Sequence, residues 1–293
     1  MLLNRKNTLK NTLNEKIIIF QCPICYESLL IENDSLKCIK KHNYNISSKG
    51  NFALCKTSKI KKNIIYDKNL FMNRKKFIET GVYEFLHNKI SDLINKHFSN
   101  CLCDELTILD MGCGECTHDS LIIKKLEKPA TLFGIDLAKD GIDLASMYVS
   151  QKIVPILADL NNLPFKENSF DIILNILSPS NEIEMSRVLN NNGIIFKVTP
   201  KKEYLIELRK NFKINEYLNE EKIEKNILKN YDVLEKIDVS YIYEINNENI
   251  ENLIEMTPLT NHINIEHASN IKSVTIALNI FVLKPKLRKG EIV

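Results

Sequence analysis

Past about residue 81 the chain falls into short apolar runs separated by stretches of helical spacing. The runs are residues 106–110 (LTILD), 131–136 (TLFGID), 153–158 (IVPILA), 170–177 (FDIILNIL) and 194–199 (IIFKVT). Between them, residues 121–126, 140–147, 182–189 and 204–212 read as helices. Near-continuous apolar strands alternating with helices predict an α/β fold whose mainly parallel sheet is covered on both faces. Residues 273–283 (SVTIALNIFVL) predict a long final strand, with an antiparallel setting as one option. The pattern before residue 81 differs. Residues 1–16 are rich in Lys and Asn and predict a flexible leader. Residues 17–56 carry four cysteines among short strands and turns, and 57–80 read as a basic linker to the large domain at 81–293.

Length and charge refine this division. A chain of 293 residues suits one large domain and a small one. Residues 1–76 hold 16 Lys/Arg against 5 Asp/Glu, a net +11, and the remainder holds 24 against 32, a net −8. A basic head on a mildly acidic body suggests that the head meets a polyanion, nucleic acid being the usual one; a solvated lysine-rich surface is the alternative. No stretch of about 18 apolar residues is present, so no membrane span is expected. The eight cysteines do not form a disulfide framework, and cytoplasmic residence is the default.

Cys22, Cys25, Cys38 and His42 have the spacing C-x2-C-x12-C-x3-H. Two close pairs of soft ligands suit a tetrahedral zinc ion, and four protein ligands leave no open position, so the predicted zinc is structural. A module of this size buries too little apolar surface to fold without the metal. Cys55 lies beyond the pattern. Cys101, Cys103, Cys113 and Cys116 make a poor second metal set, because the last two belong to a glycine turn.

That turn is Asp110, Met111, Gly112, Cys113, Gly114, Glu115 and Cys116, after a predicted strand and before a helix, as a nucleotide-binding loop requires. Asp136 ends the next strand, where an acid accepts hydrogen bonds from both ribose hydroxyls of an adenosine group, and Asp159 follows a third strand. Dinucleotide and S-adenosylmethionine sites share this architecture. Glu115 is a poor neighbour for pyrophosphate and a good one for the cationic methionyl end of S-adenosylmethionine, which favours the methyl donor. The expected fold is therefore a Rossmann-like class I methyltransferase sheet with a small N-terminal zinc-binding module.

Taken together these residues resemble the 23S ribosomal RNA guanine-N1-methyltransferases. The resemblance runs through Cys22, Cys25, Cys38 and His42, the stretch from Gly50 to Phe52, residues 77–83 (FIETGVY), the loop Asp110–Cys116, and Gly134 to Asp136. It continues through Asp159 and Leu160, residues 163–165 (LPF), 175–179 (NILSP), 200–209 (PKKEYLIELR) and 256–258 (MTP). It implies methyl transfer to N1 of a guanine in a 23S rRNA hairpin, with the zinc module helping to hold the RNA. It places Tyr83, the glycine loop with His118 just after it, Leu160 and Tyr204 among the cofactor contacts. Cys116 departs from the family, which usually has glycine there; the larger residue is expected to crowd the loop or to be taken up by a small shift. The partners expected are 23S rRNA and, as an option, a second copy of the chain.

Guanine N1 lies on the Watson–Crick edge and carries a proton, so the base must leave its pairing and the proton needs an acceptor. Asn175, Ser178 and Pro179 follow the fourth strand at the carboxyl edge of the sheet, where they are candidates to position the base; a plain strand-to-helix connection is the alternative. Glu115, Asp159 and His118 are candidate proton acceptors. A methyltransferase of a small molecule or protein, or a non-catalytic zinc-dependent RNA-binding protein, are the competing functions.

Overall fold

The computed structural model describes residues 2–55, 66–214, 219–257, 260 and 271–286. Its centre is an eight-stranded sheet. Five parallel strands come from the predicted runs: β5 (Leu106–Met111), β6 (Ala130–Asp136), β7 (Ile153–Leu157), β8 (Phe170–Ile176) and β9 (Leu189–Pro200). β11 (Ser273–Pro285) is antiparallel to β9 and to β10 (Tyr231–Glu244), and β4 (Phe52–Ala53) runs parallel to β7 at the far edge. The order is β10-β11-β9-β8-β5-β6-β7-β4. One reversed strand next to the edge of an otherwise parallel sheet makes this the class I methyltransferase form of the Rossmann-like fold. The order turns back between β5 and β8, and ligands bind at the carboxyl ends of strands at such a switch point.

Successive side chains on each strand face opposite ways, and two cores result. Ile108, Leu132 and Ile172 join one, beside α3 (Glu84–Phe98) and α9 (Asn247–Met256); Leu109, Phe133 and Ile173 join the other. The N-terminal 55 residues cover much of that second face. α1 (Leu2–Lys16) buries Leu9 and Leu13, one turn apart, and Phe20 packs against Phe52, Phe133 and Phe165.

Two expectations are corrected here. Leu2–Lys16 form a helix and not a flexible leader: burying Leu9 and Leu13 contributes about 1.5–3 kcal/mol each, and Lys6 and Lys10 pair with Asp34. The linker expected at 57–80 includes α2 (Lys68–Phe77), capped by Asp67 and burying Leu70, Phe71 and Phe77. The cysteine-bearing segment forms a small antiparallel sheet of β1 (Leu29–Glu32), β2 (Ser35–Cys38) and β3 (Asn43–Asn45). It shares its core with the large domain instead of standing apart from it. Lys59, Lys61, Lys62 and Pro258 lie outside the described residues. No described helix is long and apolar enough to cross a membrane.

Candidate active site

The glycine loop leaves β5 and returns into α4 (Thr117–Ile123). Gly112 has φ +89°, and an added Cβ there would lie 2.6 Å from Ser178 Cβ. Only glycine meets both demands. Asp136, at the end of β6, holds the loop: its carboxylate accepts from Gly114 N (2.9 Å) and Ala138 N (2.8 Å). Each oxygen keeps a lone pair for a hydroxyl donor.

Cys116 is taken up without a break in the loop. It sits at φ +59°, the left-handed conformation that glycine adopts most readily, and its buried thiol lies over Gly134 on β6. A Cβ on Gly134 would stand 2.7 Å from Cys116 Sγ and 3.0 Å from Cys113 Sγ. Gly134→Ala is therefore expected to cost about 1–3 kcal/mol of stability. Part of that loss should return in the double variant with Cys116→Gly, and equilibrium denaturation of the four proteins measures the coupling. Strict additivity would mean that the two positions do not compete for space.

Beneath the loop lies an excess of buried negative charge. Glu115 is fully buried, and Arg74 Nε of α2 lies 3.3 Å from its Oε2. Asp110 and Asp119 are buried together; desolvation first, and then each other's proximity, pushes Asp110 well above the ordinary carboxylate range, and burial raises Asp119 to about 6. Asp110 Oδ1 and both oxygens of Glu115 and of Asp119 lack a hydrogen-bond partner among the described residues. Three acids against one guanidinium fit a ligand that brings a positive charge, as an aminoacyl sulfonium does.

A cavity of about 1010 Å³ opens at the carboxyl ends of β5, β6, β8 and β9. Tyr83, Gly112, His118, Asp136, Leu160, Ser178, Pro179 and Tyr204 are among the residues that line it. Ile78–Val82 form a π-helical bend with Gly81 at φ +87°, and Tyr83 follows it with its hydroxyl 2.5 Å from that of Tyr204. His118 hydrogen-bonds His87 at 2.8 Å; burial first, then His87, pushes His118 well below the usual histidine range, so the ring is neutral. Asp110, Gly114, Glu115 and Asp159 support the walls without lining the cavity. Asp159 accepts from Asn161 N and Nδ2.

Asn175 is fully buried and does not reach the cavity, which overturns its expected contact with a base. Its amide donates to Met111 O and Pro179 O (2.9 Å each), and its carbonyl oxygen accepts from Lys197 Nζ (2.5 Å). Ser178 Oγ lines the cavity but donates to Met111 O at 2.5 Å, at a turn that Leu177 enters with φ +53°. Asn175 thus fastens the turn and does not present its amide. Sequence reasoning misses Arg74, hidden in a run of basic residues, and Lys197, a lone lysine inside an apolar strand. Both line the cavity.

The four predicted metal ligands meet at one point, with all ligand atoms within 4.8 Å of one another. Cys25 Sγ and Cys38 Sγ are 3.6 Å apart, and His42 Nδ1 lies 3.5 Å from Cys22 Sγ and 3.3 Å from Cys38 Sγ. Tetrahedral zinc sets sulfur–sulfur edges of roughly 3.8 Å and sulfur–nitrogen edges of roughly 3.5 Å, so the residues fit the ion. Tyr44 hydroxyl, 3.1 Å from Cys22 Sγ, supports that sulfur from behind. Cys101 and Cys103 form a disulfide with each other, and no second metal cluster occurs among the described residues.

Comparison with known proteins agrees with this geometry. A family model described as a methyltransferase domain matches residues 108–193. A Bacillus subtilis (strain 168) protein, YxjB, provisionally named a 23S rRNA (guanine-N(1)-)-methyltransferase, is 34% identical over 252 residues, 82% of this chain and 86% of that protein. The 23S rRNA (guanine(748)-N(1))-methyltransferase of Streptomyces fradiae is 21% identical over 188 residues, 64% of this chain and 65% of its own. Among solved structures, the MccD protein is 15% identical over 67% of this chain and 95% of its own, with a TM-score of 0.46. A likeness that loose adds nothing to the strand order.

Proposed function

The chain belongs to the 23S rRNA (guanine-N1)-methyltransferase family, and from that premise we propose that it methylates N1 of a guanine in a 23S rRNA hairpin. The observation that carries this reading is the single cavity shared by two walls. One wall, of Gly112, Asp136 and Leu160, suits a nucleoside cofactor; the other, of Ser178, Pro179, Lys197 and Thr199, suits an unpaired base. S-adenosylmethionine, when bound, supplies a methyl group on a cationic sulfur. Asp136 would take the ribose hydroxyls and Arg74, held from behind by Glu115, the carboxylate. Tyr83 and Tyr204, hydrogen-bonded to each other in the cavity wall, would flank the bound cofactor.

The zinc-ligand segment we assign to structure and to RNA contact. Around it Tyr26, Leu30 and Ile39 are exposed beside Lys40 and Lys41, a mixed apolar and basic surface of the kind that holds RNA. The deciding measurement is mass mapping of 23S rRNA from cells with and without the protein. A single methyl on one guanine, present only with the protein and blocking the Watson–Crick edge, is the expected result. Unchanged rRNA would remove the reading.

A further inference from the structure

Methylation of guanine N1 releases a proton inside the cavity, and this inference rests on the function proposed for that cavity. The groups expected to take that proton are badly placed. Glu115 and Asp159 do not line the cavity, and neutral His118 is a weak base. Asp136 is occupied by two backbone amides. Lys197 is different. It projects from β9 on the same wall as Ser178 and Pro179, and it is more than nine-tenths buried. Its Nζ is held by one hydrogen bond, to Asn175 Oδ1. Because the Asn175 NH2 group is spent on Met111 O and Pro179 O, it is the carbonyl oxygen that faces Lys197. The amine is thereby fixed in direction, and its remaining valences are left for the cavity.

We propose that the Lys197 amine accepts the N1 proton of the bound guanine, with Asn175 as the residue that positions it. In the step, the C–S bond of the donor sulfonium breaks with its electron pair going to sulfur. The C–N1 bond forms from the nitrogen pair, and the N1 proton passes to Nζ. Sulfur loses a positive charge as Lys197 gains one, so the buried site keeps its net charge throughout. The ammonium then gives its proton to water once the product has left. Burial lowers the Lys197 pKa to about 8, with Glu182 of α6 (Glu182–Val188) pulling the other way. The other titratable groups around the cavity are Tyr66, Arg74, Tyr83, His118, Asp136, Tyr204 and Arg209. A sulfonium in the same cavity acts in the same direction as burial and favours the free amine.

The test is single-turnover methylation of 23S rRNA between pH 6 and 9. The parent rate should rise to a plateau with an apparent pKa at or below about 8. Lys197→Met should be slower by roughly 10²-fold or more and lose that rise, while its affinity for S-adenosylhomocysteine stays unchanged. Primary amines added to Lys197→Ala should restore part of the rate in proportion to their free-base form. Independently of turnover, amine acylation of Lys197 in cofactor-free protein, read by peptide mass spectrometry, should show a midpoint near that same pH. Full activity in Lys197→Arg, a parent rate in Lys197→Met, or a rate that falls as pH rises through 8 would each overturn the proposal. If the parent leaves guanine N1 unmethylated, the functional reading fails first and takes this one with it; a parent-like Lys197→Met overturns this one alone.

Discussion

Protein stripped of zinc by a chelator, or carrying Cys38→Ser, is expected to lose far more than the small sheet around the metal. Structural zinc sites contribute apparent binding free energies of about 10–16 kcal/mol to the folds they hold. Here the fold they hold is shared. Phe20, two residues before the first ligand, packs against Phe133 on the central sheet and Phe165 in the connection after β7, and Gln21 N donates to Pro164 O. β4 hydrogen-bonds the edge of β7. We therefore expect a melting temperature lower by roughly 10 °C or more, since each kcal/mol moves a domain of this size by about 2–4 °C. Hydrogen exchange should show lost protection in residues 20–54 and in 153–170 together. Metal-free protein, verified by elemental analysis, with unchanged melting and exchange would show that the aromatic cluster holds without the ion.

Gly112→Ala is expected to abolish useful cofactor affinity while leaving the protein folded. Alanine at φ +89° carries about 1–3 kcal/mol of backbone strain, and its Cβ, 2.6 Å from Ser178 Cβ, adds about 1–3 kcal/mol of overpacking. The loop relieves both by moving, and movement separates Gly114 N from Asp136 Oδ2. Calorimetric titration with S-adenosylmethionine should show a loss of roughly 2–6 kcal/mol, the sum of those two contributions. Ser178→Gly in the same chain should recover the steric part but not the strain. Parent affinity in the single variant would mean that the loop is not where the cofactor sits.

The central sheet is legible in the sequence because β5, β6, β7 and β8 are buried on both faces and read as unbroken apolar runs. β10 escapes such a reading because it is a half-exposed strand at the sheet edge, with five charged residues among its fourteen. α1 reads as a leader because its buried face rests on Leu9 and Leu13 among Lys and Asn; what orders it is tertiary packing, which local composition does not record. The metal ligands are readable from spacing alone, since a tetrahedral ion fixes the distances that the turns must offer. Asn175 belongs to the expected turn but plays a different part there. An amide at a strand end can be located from sequence, whereas the carbonyls that claim it are set by the fold. Lys197 does carry a signal, a charge in the middle of IIFKVT, where an unpaired lysine has no structural reason to be.

The aromatic seam between Phe20 and the sheet has a consequence for synthesis. The four metal ligands have all been made by residue 42, whereas the rings that receive Phe20 are not complete until residue 165. At ribosomal speeds of about 5–20 residues per second, the nascent chain spends roughly 6–25 s with its head finished and its seat missing. During that interval Phe20 and Leu29, and later Phe52, lack the sheet residues they pack on in the folded chain, and a zinc ion held by the four ligands would be what keeps β1 to β3 in register. An ion bound there would thus act first as a placeholder, preserving through translation a surface that has no partner until the sheet arrives.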